Sequence, residues 1–254
     1  MRKIIFNSSW IRFLPALILL GLWQLFVTGD SERLFMFSSP WQVLQVAQHE
    51  ILLESVWYDV GVTASEIVVG LAFGTIGGTF IGLVLSLNKR LRKIIRPYLT
   101  FLGSIQIFTL APLMVIWFGI GWGSKVAMAT LTSFFVALQQ AADGAAATET
   151  ELTAYARSLK TKPWPLIRHI ILPNVLYWVL SGIQMNVGFA TLGALVGEFI
   201  SSEAGLGHYI FSASGVYDVP RVWFGVILLA IISLILRFLL TKLVASRIPQ
   251  DKRV

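Results

Sequence analysis

The chain has 254 residues, of which 56% are apolar and 13% are charged, and its mean hydropathy is +0.75. Soluble domains carry about a quarter charged residues, so this composition excludes an ordinary soluble domain and predicts an integral membrane protein. The chain has no cysteine, which excludes disulfides, thiolate metal sites and cysteine nucleophiles.

Six apolar stretches satisfy the requirement of roughly 20 predominantly apolar residues for a helix that crosses a membrane. They lie at about 13–28, 60–87, 98–121, 125–141, 174–199 and 222–244. Segments with the alternating pattern of a membrane β-barrel are absent. We therefore expect an all-α bundle of six transmembrane helices that forms a single domain over residues 1–254.

The net charge of +7 is distributed unevenly. Segments 1–12, 88–96, 142–173 and 241–254 hold sixteen of the twenty Lys and Arg, and they alternate with segments that hold few. Cytoplasmic loops are enriched in basic residues, so this pattern predicts that both termini lie in the cytoplasm. Arg237 lies inside the last span, where snorkelling to the interface explains it. Without a basic soluble domain, we expect no nucleic-acid partner.

The first apolar stretch follows Arg2 and Lys3, as in a signal peptide, but no small-x-small cleavage site follows it. We therefore interpret it as the first membrane helix. Beyond it, Ser39 and Pro40 are typical of the N-cap and first position of a helix. This second helix has an apolar side and few basic residues, so we expect it to lie on the outer membrane surface.

The second span carries four glycines at intervals of four residues: Gly70, Gly74, Gly78 and Gly82. Residues four apart share one helix face, so the glycines predict a groove in which another helix packs closely. Glu66 lies near the outer end of this span and Glu198 near the outer end of the fifth. For Glu66 two interpretations stay open, a buried functional carboxylate and a hydrated residue close to the interface.

Polar residues in two spans are candidates for lining a pathway. They are Gln106 and Thr109 in the third span, and Gln184 and Asn186 in the fifth. Pro97 is expected to begin the third span and Pro112 to interrupt it, because proline removes an amide donor. An amide in hydrocarbon is costly unless it faces water or another helix, so for Gln184 and Asn186 we favour a bundle-interior or pathway position over purely interhelical hydrogen bonding.

The polar segment 142–173 links the fourth and fifth spans. Thr148 and Glu151 form an S/T-x-x-E capping box, which predicts that a short helix begins near Thr148. Residues at spacings of three and four give this helix one apolar face, formed by Leu152, Tyr155, Ala156 and Leu159. Pro163 and Pro165 then end it. A second amphipathic piece leads to Pro173, which suits the first turn of the next helix.

This segment resembles the cytoplasmic loop of ATP-binding-cassette importer permeases, whose signature runs E-A-A, three residues, Gly, nine residues, I-x-L-P. Ile170-Ile171-Leu172-Pro173 matches the end of the signature, and Ala156 matches its second Ala. The sequence departs from the signature at three positions, where it has Ala154 for Glu, Tyr155 for the first Ala and Lys160 for Gly.

The resemblance extends over most of the chain. Residues 109–125, 151–173 and 193–210 look like the corresponding stretches of the nitrate, alkanesulfonate and taurine branch of these permeases. It implies a core permease region over about 60–244 and a coupling helix between the fourth and fifth transmembrane helices. The residues that it assigns to coupling are Glu151, Leu152, Tyr155, Ala156, Arg157, Ser158, Leu159 and Lys160.

The resemblance also implies partners. Two permease subunits, expected to be identical, would enclose the pathway, and each coupling helix would dock on a separate ABC ATPase subunit. That subunit would bind ATP and Mg²⁺, since this chain lacks a G-x-x-x-x-G-K-[ST] loop. A periplasmic or lipid-anchored binding protein would deliver the substrate, and membrane lipid would surround the bundle.

We accordingly predict a multi-pass permease of the bacterial inner membrane, without catalytic residues, cofactor or metal of its own. The expected cargo is a small organic or inorganic anion such as a sulfonate, taurine or nitrate. A pyrimidine vitamin precursor, carried by the same ABC mechanism, is the alternative cargo. A secondary transporter driven by an ion gradient is the alternative class, although it calls for carboxylates at the membrane midplane and internal repeats.

Overall fold

The computed structural model describes residues 13–148, 158 and 163–245, and these residues form helices joined by short turns, with no strand among them. The all-α prediction is confirmed for this part of the chain. The helices are α1 (Leu14–Val27), α2 (Ser31–Phe37), α3 (Pro40–Glu50), α4 (Glu54–Leu87), α5 (Lys89–Ser104), α6 (Ile107–Phe118), α7 (Trp122–Ala147), α8 (Pro163–Leu166), α9 (Leu172–Ser181), α10 (Ile183–Ser201), α11 (Leu206–Gly215) and α12 (Val219–Ala245). A π-helical turn, Ile167–Ile171, joins α8 to α9.

Helices α4 and α7 pack against each other through the four glycines of α4. A Cβ on Gly78 would lie 2.9 Å from the amide nitrogen of Leu138, and one on Gly82 would lie 2.7 Å from the Cβ of Ala141. Side chains at these positions would push the helices apart. The contacts advance in the same direction along both helices, so α4 and α7 run parallel. The predicted packing groove is thus confirmed, and α7 occupies it.

The predicted fifth span is two helices, α9 and α10, that meet at Gly182. The amide nitrogen of Gln140 in α7 donates to the carbonyl of Gly182 at 3.3 Å, and any Cβ at Gly182 would collide with that amide group. The expectation of one continuous helix over 174–199 is therefore wrong at this residue. Further along, Gly193 contacts Ala129 and Gly197 contacts Lys125, so α10 runs antiparallel to α7.

The third predicted span is bent by 91° between α5 and α6. The break lies at Ile105 and Gln106, whereas Pro112 lies within α6, so the expected interruption at Pro112 is wrong. Because α6 begins at Ile107, the proline deprives only the carbonyl of Phe108, in the first turn, of its amide donor. Pro97 likewise lies inside α5, which begins at Lys89 after the N-cap Asn88.

Helices α3, α4, α11 and α12 share an apolar core. Phe224 and Leu228 of α12 pack with Val43 of α3, Val56 of α4 and Leu206 of α11. The predicted cap of α3 is confirmed, since the Oγ of Ser39 accepts a hydrogen bond from the amide of Gln42 at 3.2 Å and Pro40 occupies the first turn.

Within the described ranges, three helices are long and apolar enough to cross a membrane, namely α4, α10 and α12 over Val219–Leu243. The bent pair α5 and α6 makes a fourth if it is counted as one span. The apolar helix α1 has 14 residues, and α7, the predicted fourth span, has 26 residues but is not among the helices that qualify. Six spans and the orientation of the termini therefore stay predictions.

The surface of the bundle carries many large apolar side chains. Ile116 is 75% exposed, Phe238 is 68% exposed and Phe73 is 63% exposed. Soluble monomers rarely expose extended apolar patches, whereas lipid hydrocarbon accommodates them. The outer surface therefore fits a membrane environment.

Candidate functional site

Four polar side chains are buried where α4, α7 and α10 meet. We call them the carboxyl cluster: Thr63 and Glu66 of α4, Lys125 of α7 and Glu198 of α10. Each is at most 1% exposed. Groups of this kind are stable in an apolar interior only when they find partners, so the contacts of the cluster explain its position.

Glu198 accepts hydrogen bonds from two sides. Its Oε1 accepts from the hydroxyl of Thr63 at 2.6 Å, and its Oε2 accepts from the amide of Gly207 at 2.5 Å. The Thr63 oxygen accepts in turn from the amide of Leu206 at 2.8 Å. Glu198 therefore fastens the start of α11 to α4. Helix α11 was not predicted from the sequence, because the contact of Leu206 with Thr63 that anchors it joins residues 143 positions apart.

The turn before α11 is shaped around Glu198. Gly205 has φ +106°, and a Cβ on it would lie 2.6 Å from Cδ of Glu198. The amide of Gly205 donates to Oδ1 of Asp59 at 2.7 Å, which adds a second link to α4. Only glycine combines this backbone conformation with room for the glutamate.

Lys125 and Glu66 complete the cluster. The Nζ of Lys125 donates to the carbonyl of Ser201, and the buried carboxyl group of Glu66 lies close enough to Glu198 and Lys125 for their charges to interact. Glu66 is thus buried in protein rather than hydrated. Its Oε2 has no hydrogen-bond partner. The arrangement holds three helices together at one end of the bundle. The sequence analysis did not predict that Lys125 belongs to this buried cluster, although a charged residue in the first turn of an apolar helix indicates such a position.

A second buried polar contact links α7 to α10. Asn186 is fully buried, and its Nδ2 donates to Oε1 of Gln140 at 2.9 Å, while its Oδ1 has no partner. By contrast, Gln106, Thr109 and Gln184 are exposed on the surface of the chain. The structure therefore does not bring the four pathway candidates to one place, and their part in a pathway stays a prediction.

The predicted coupling residues lie outside the described residues, except for Ser158. Both ends of their segment are described and are tied together. The Nδ2 of Asn174 donates to the carbonyl of Gly144 and to the hydroxyl of Thr148, each at 2.7 Å. Thr148 is the C-terminal cap of α7, and its hydroxyl donates to the carbonyl of Gly144 at 2.8 Å. Glu151, the other member of the predicted capping box, lies outside the described residues, so the capping box stays a prediction.

A third polar group joins α3, α11 and the start of α12. Arg221 pairs with Oε1 of the buried Glu50, with its Nη2 at 2.9 Å and its Nε at 3.0 Å. The hydroxyl of Tyr209 donates to Oε2 of Glu50 at 3.3 Å. Burial raises the pKa of Tyr209, and the charge of Glu50 raises that pKa further. Sequence reasoning missed this group because its members are far apart along the chain.

No group of three or more His, Asp or Glu side chains that could hold a metal ion occurs in the described part of the chain. The model of the protein family described as "Binding-protein-dependent transport system inner membrane component" matches residues 74–248, which is more than half of the chain. The chain belongs to this family. The family of this permease is the one that the resemblance of residues 109–125, 151–173 and 193–210 had indicated.

Curated relatives agree with this assignment. The permease is 33% identical over 233 residues to an ABC transporter permease protein of Haemophilus influenzae, which covers 90% of the permease and 94% of the relative. It is 30% identical over 220 residues to the riboflavin transport system permease protein of Chloroflexus aurantiacus, which covers 87% and 82% of the two chains.

Permeases named for aliphatic sulfonates in Bacillus subtilis, taurine in Escherichia coli and formylaminopyrimidine in Halalkalibacterium halodurans are each 26% identical, over 86 to 93% of this permease and 82 to 94% of theirs. The predicted resemblance to the sulfonate and taurine branch is confirmed. The permease also matches a solved structure of the inward-facing MetNI methionine ABC transporter with a TM-score of 0.69, 17% identity, and coverage of 79% of the permease and 99% of that chain. At this identity the match shows a shared fold.

Proposed function

We propose that this permease is the membrane subunit of an ABC importer that carries a small anion, such as a sulfonate, taurine or nitrate, across the bacterial inner membrane. The family match over residues 74–248 carries the proposal. The names of the sulfonate and taurine permeases support the choice of an anion. As a subunit of this kind, it hydrolyses no ATP itself, and a partner ATPase binds ATP and Mg²⁺.

The proposed topology has six spans with both termini in the cytoplasm. The directions of the helices support it, because α10 is antiparallel to α7, and α12 is antiparallel to α10 through the contacts of Gln184 with Thr241 and of Gly188 with Arg237. Consecutive spans alternate in direction in such a bundle. The carboxyl cluster then lies near the periplasmic side and Asn174 near the cytoplasm, in agreement with the basic loops.

The proposed coupling element is the segment between Thr148 and Pro163, with Leu152, Tyr155 and Leu159 on its apolar face. An amphipathic helix of this kind suits a groove on a partner protein. The bonds of Asn174 support the proposal, because a segment whose ends are tied to α7 and α9 transmits force to both. Closure of the ATPase subunits would rock two identical permease subunits between outward and inward states, and a periplasmic or lipid-anchored binding protein would supply the substrate.

Copurification from detergent-solubilised membranes tests the proposal. Wild type should retain an ABC ATPase, and Tyr155→Asp combined with Leu159→Asp should lose it, because two charges destroy the apolar face. The matched control is Arg168→Asp combined with His169→Asp, which places two charges at exposed positions beyond the segment and should retain the ATPase. If wild type brings down no ATPase under conditions that preserve membrane complexes, the proposal fails and ion-gradient transport is tested next.

A vitamin precursor is the second candidate cargo. The relatives named for riboflavin and formylaminopyrimidine transport favour it. Uptake of labelled taurine is measured in proteoliposomes that contain the permease, its ATPase and its binding protein. This measurement distinguishes an anion cargo from a vitamin-precursor cargo. Competition by ethanesulfonate supports the anion, whereas competition by an aminopyrimidine alone supports the precursor.

A further inference from the structure

Arg237 is directed toward α10 rather than toward the end of its own helix. A Cβ on Gly188 of α10 would lie 2.7 Å from Nη2 of Arg237, so the guanidinium rests on the backbone of the glycine. The sequence suggested that this side chain extends to the membrane interface. The structure instead places it, partly buried, in the groove between α10 and α12.

The charge of Arg237 has no counter-charge in the described part of the chain. The ion pairs found there involve Arg33 and Arg221. The Nε of Arg237 is buried and has no hydrogen-bond partner. A cation inside a membrane-spanning helix is costly unless an anion or a polar group compensates it, and a buried donor without an acceptor adds to that cost. The guanidinium therefore has unused capacity for an external acceptor.

Two more polar side chains lie one helical turn away in the same groove. Gln184 precedes Gly188 by four residues in α10, and Thr241 follows Arg237 by four residues in α12. The Nε2 of Gln184 donates to Oγ1 of Thr241 at 3.1 Å, which joins the two helices at this level. The oxygen of Thr241 is the acceptor in this bond, and a hydroxyl also carries one O–H donor. Gly188 contributes by leaving space that a side chain would fill.

We propose that Arg237, Gln184 and Thr241 form a binding site for an oxyanion in the groove between α10 and α12. A guanidinium presents two parallel N–H groups that match two oxygens of a sulfonate, carboxylate or phosphate. The hydroxyl of Thr241 supplies a further donor. The bound oxyanion thus provides the counter-charge for Arg237 that the described residues lack.

The oxyanion has two possible sources that share this chemistry. One is the transported solute, and this source rests on the proposed function. The other is the headgroup phosphate of an anionic lipid, which does not depend on transport. Arg237 lies six residues before Leu243, where the apolar span ends, and a rise of about 1.5 Å per residue puts it roughly 9 Å from that end. Lipid phosphate lies outside this end of the span, so the lipid source requires a headgroup that enters the groove, as headgroups do in basic pockets between membrane helices.

Binding measurements on the permease, purified with its ATPase, test the site. In nanodiscs of neutral phosphatidylcholine, ethanesulfonate is titrated by calorimetry, and retained phosphatidylglycerol is counted by native mass spectrometry. We expect at least one probe to bind wild type, and Arg237→Gln to weaken that binding by about tenfold or more, since charge-assisted bonds are lost. Gly188→Ala, whose Cβ displaces the guanidinium, should weaken it too. The matched control is Lys242→Gln, which removes an exposed cation of the same helix and should leave binding unchanged.

The outcomes separate the sources. If Arg237→Gln loses the ethanesulfonate binding of wild type, the site binds solute. If Arg237→Gln loses the retained phosphatidylglycerol, the site binds lipid. Arg237→Lys keeps the charge but lacks the planar guanidinium, so it should bind with intermediate affinity. Its affinity tests the site if Arg237→Gln does not fold. Absence of binding to wild type, or equal binding by wild type and Arg237→Gln, overturns the proposal. If no ATPase copurifies, the transport proposal fails, while the lipid measurement on the permease alone still tests the site.

Discussion

The hydroxyl of Thr63 makes two hydrogen bonds: it donates to Glu198 and accepts from the amide of Leu206. Glu198 in turn occupies space that is available only because residues 205 and 207 are glycine. The first turn of α11 is therefore held by one carboxyl group and two glycines. This dependence makes the turn sensitive to the addition of a single methyl group.

Gly205→Ala should destabilise the permease by at least about 1 kcal/mol, because alanine strains a backbone with positive φ and its Cβ meets Glu198. In a protein of this size that corresponds to a fall in melting temperature of roughly 2–4 °C. Tryptophan fluorescence during heating in detergent measures it. The control is Gly215→Ala in α11, where nothing lies within 4 Å of the new Cβ. Equal shifts for both variants would contradict the argument.

Helices α4 and α7 show how a repeated small residue determines which face of an element packs. Lipid does not drive apolar helices together as water does, so close backbone contact supplies much of the attraction. The four glycines provide that contact along one stripe of α4. Gly77 lies beside the stripe, and a Cβ there would lie 3.6 Å from the ring of Phe134, which is ordinary contact.

The pair Gly77 and Gly78 therefore permits a matched comparison. Gly78→Ala should lower the melting temperature and the yield of monodisperse protein, because its Cβ would lie 2.9 Å from the amide nitrogen of Leu138. Gly77→Ala should be neutral or slightly stabilising, since alanine favours the helix. Size-exclusion chromatography and thermal unfolding of both variants provide the readings. A loss that is as large for Gly77→Ala would show that helix propensity, and not contact with α7, decides the effect.

At the scale of the whole molecule, α7 connects the two ends of the bundle. Lys125 lies in its first turn and Gly144 in its last, and a rise of about 1.5 Å per residue separates them by roughly 28 Å. The carboxyl cluster is attached at one end and Asn174 at the other. A force applied to the segment after Thr148 therefore reaches the cluster through one helix that is packed along its length against α4.

The absence of cysteine makes the topology directly measurable. In intact cells, a membrane-impermeant maleimide should label Ser214→Cys in α11, which the proposed orientation places on the periplasmic side. Lys93→Cys in α5 should be labelled only after the membrane is permeabilised. Both positions are exposed in the structure, so access to the reagent does not depend on unfolding. Wild type is the blank, and the reverse pattern would refute the proposed orientation.

The sequence by itself determined the properties that depend on composition, periodicity and near neighbours. These include the apolar helical bundle, the glycine face of α4, the cap formed by Ser39 and Pro40, and the family, which the motif around Pro173 indicated. Such features are local, because helix faces repeat every three to four residues and caps act within one turn.

Only the tertiary structure decided which polar groups are buried and with what partners. From the sequence, Glu66 was equally compatible with hydration. The carbonyl at the break, that of Gly182, accepts from Gln140, which lies 42 positions earlier in the chain. The contact of Arg237 with Gly188 likewise joins two helices. The cost of burying a polar group depends on the acceptors and donors that folding brings to it, and these come from distant parts of the chain that no local pattern specifies.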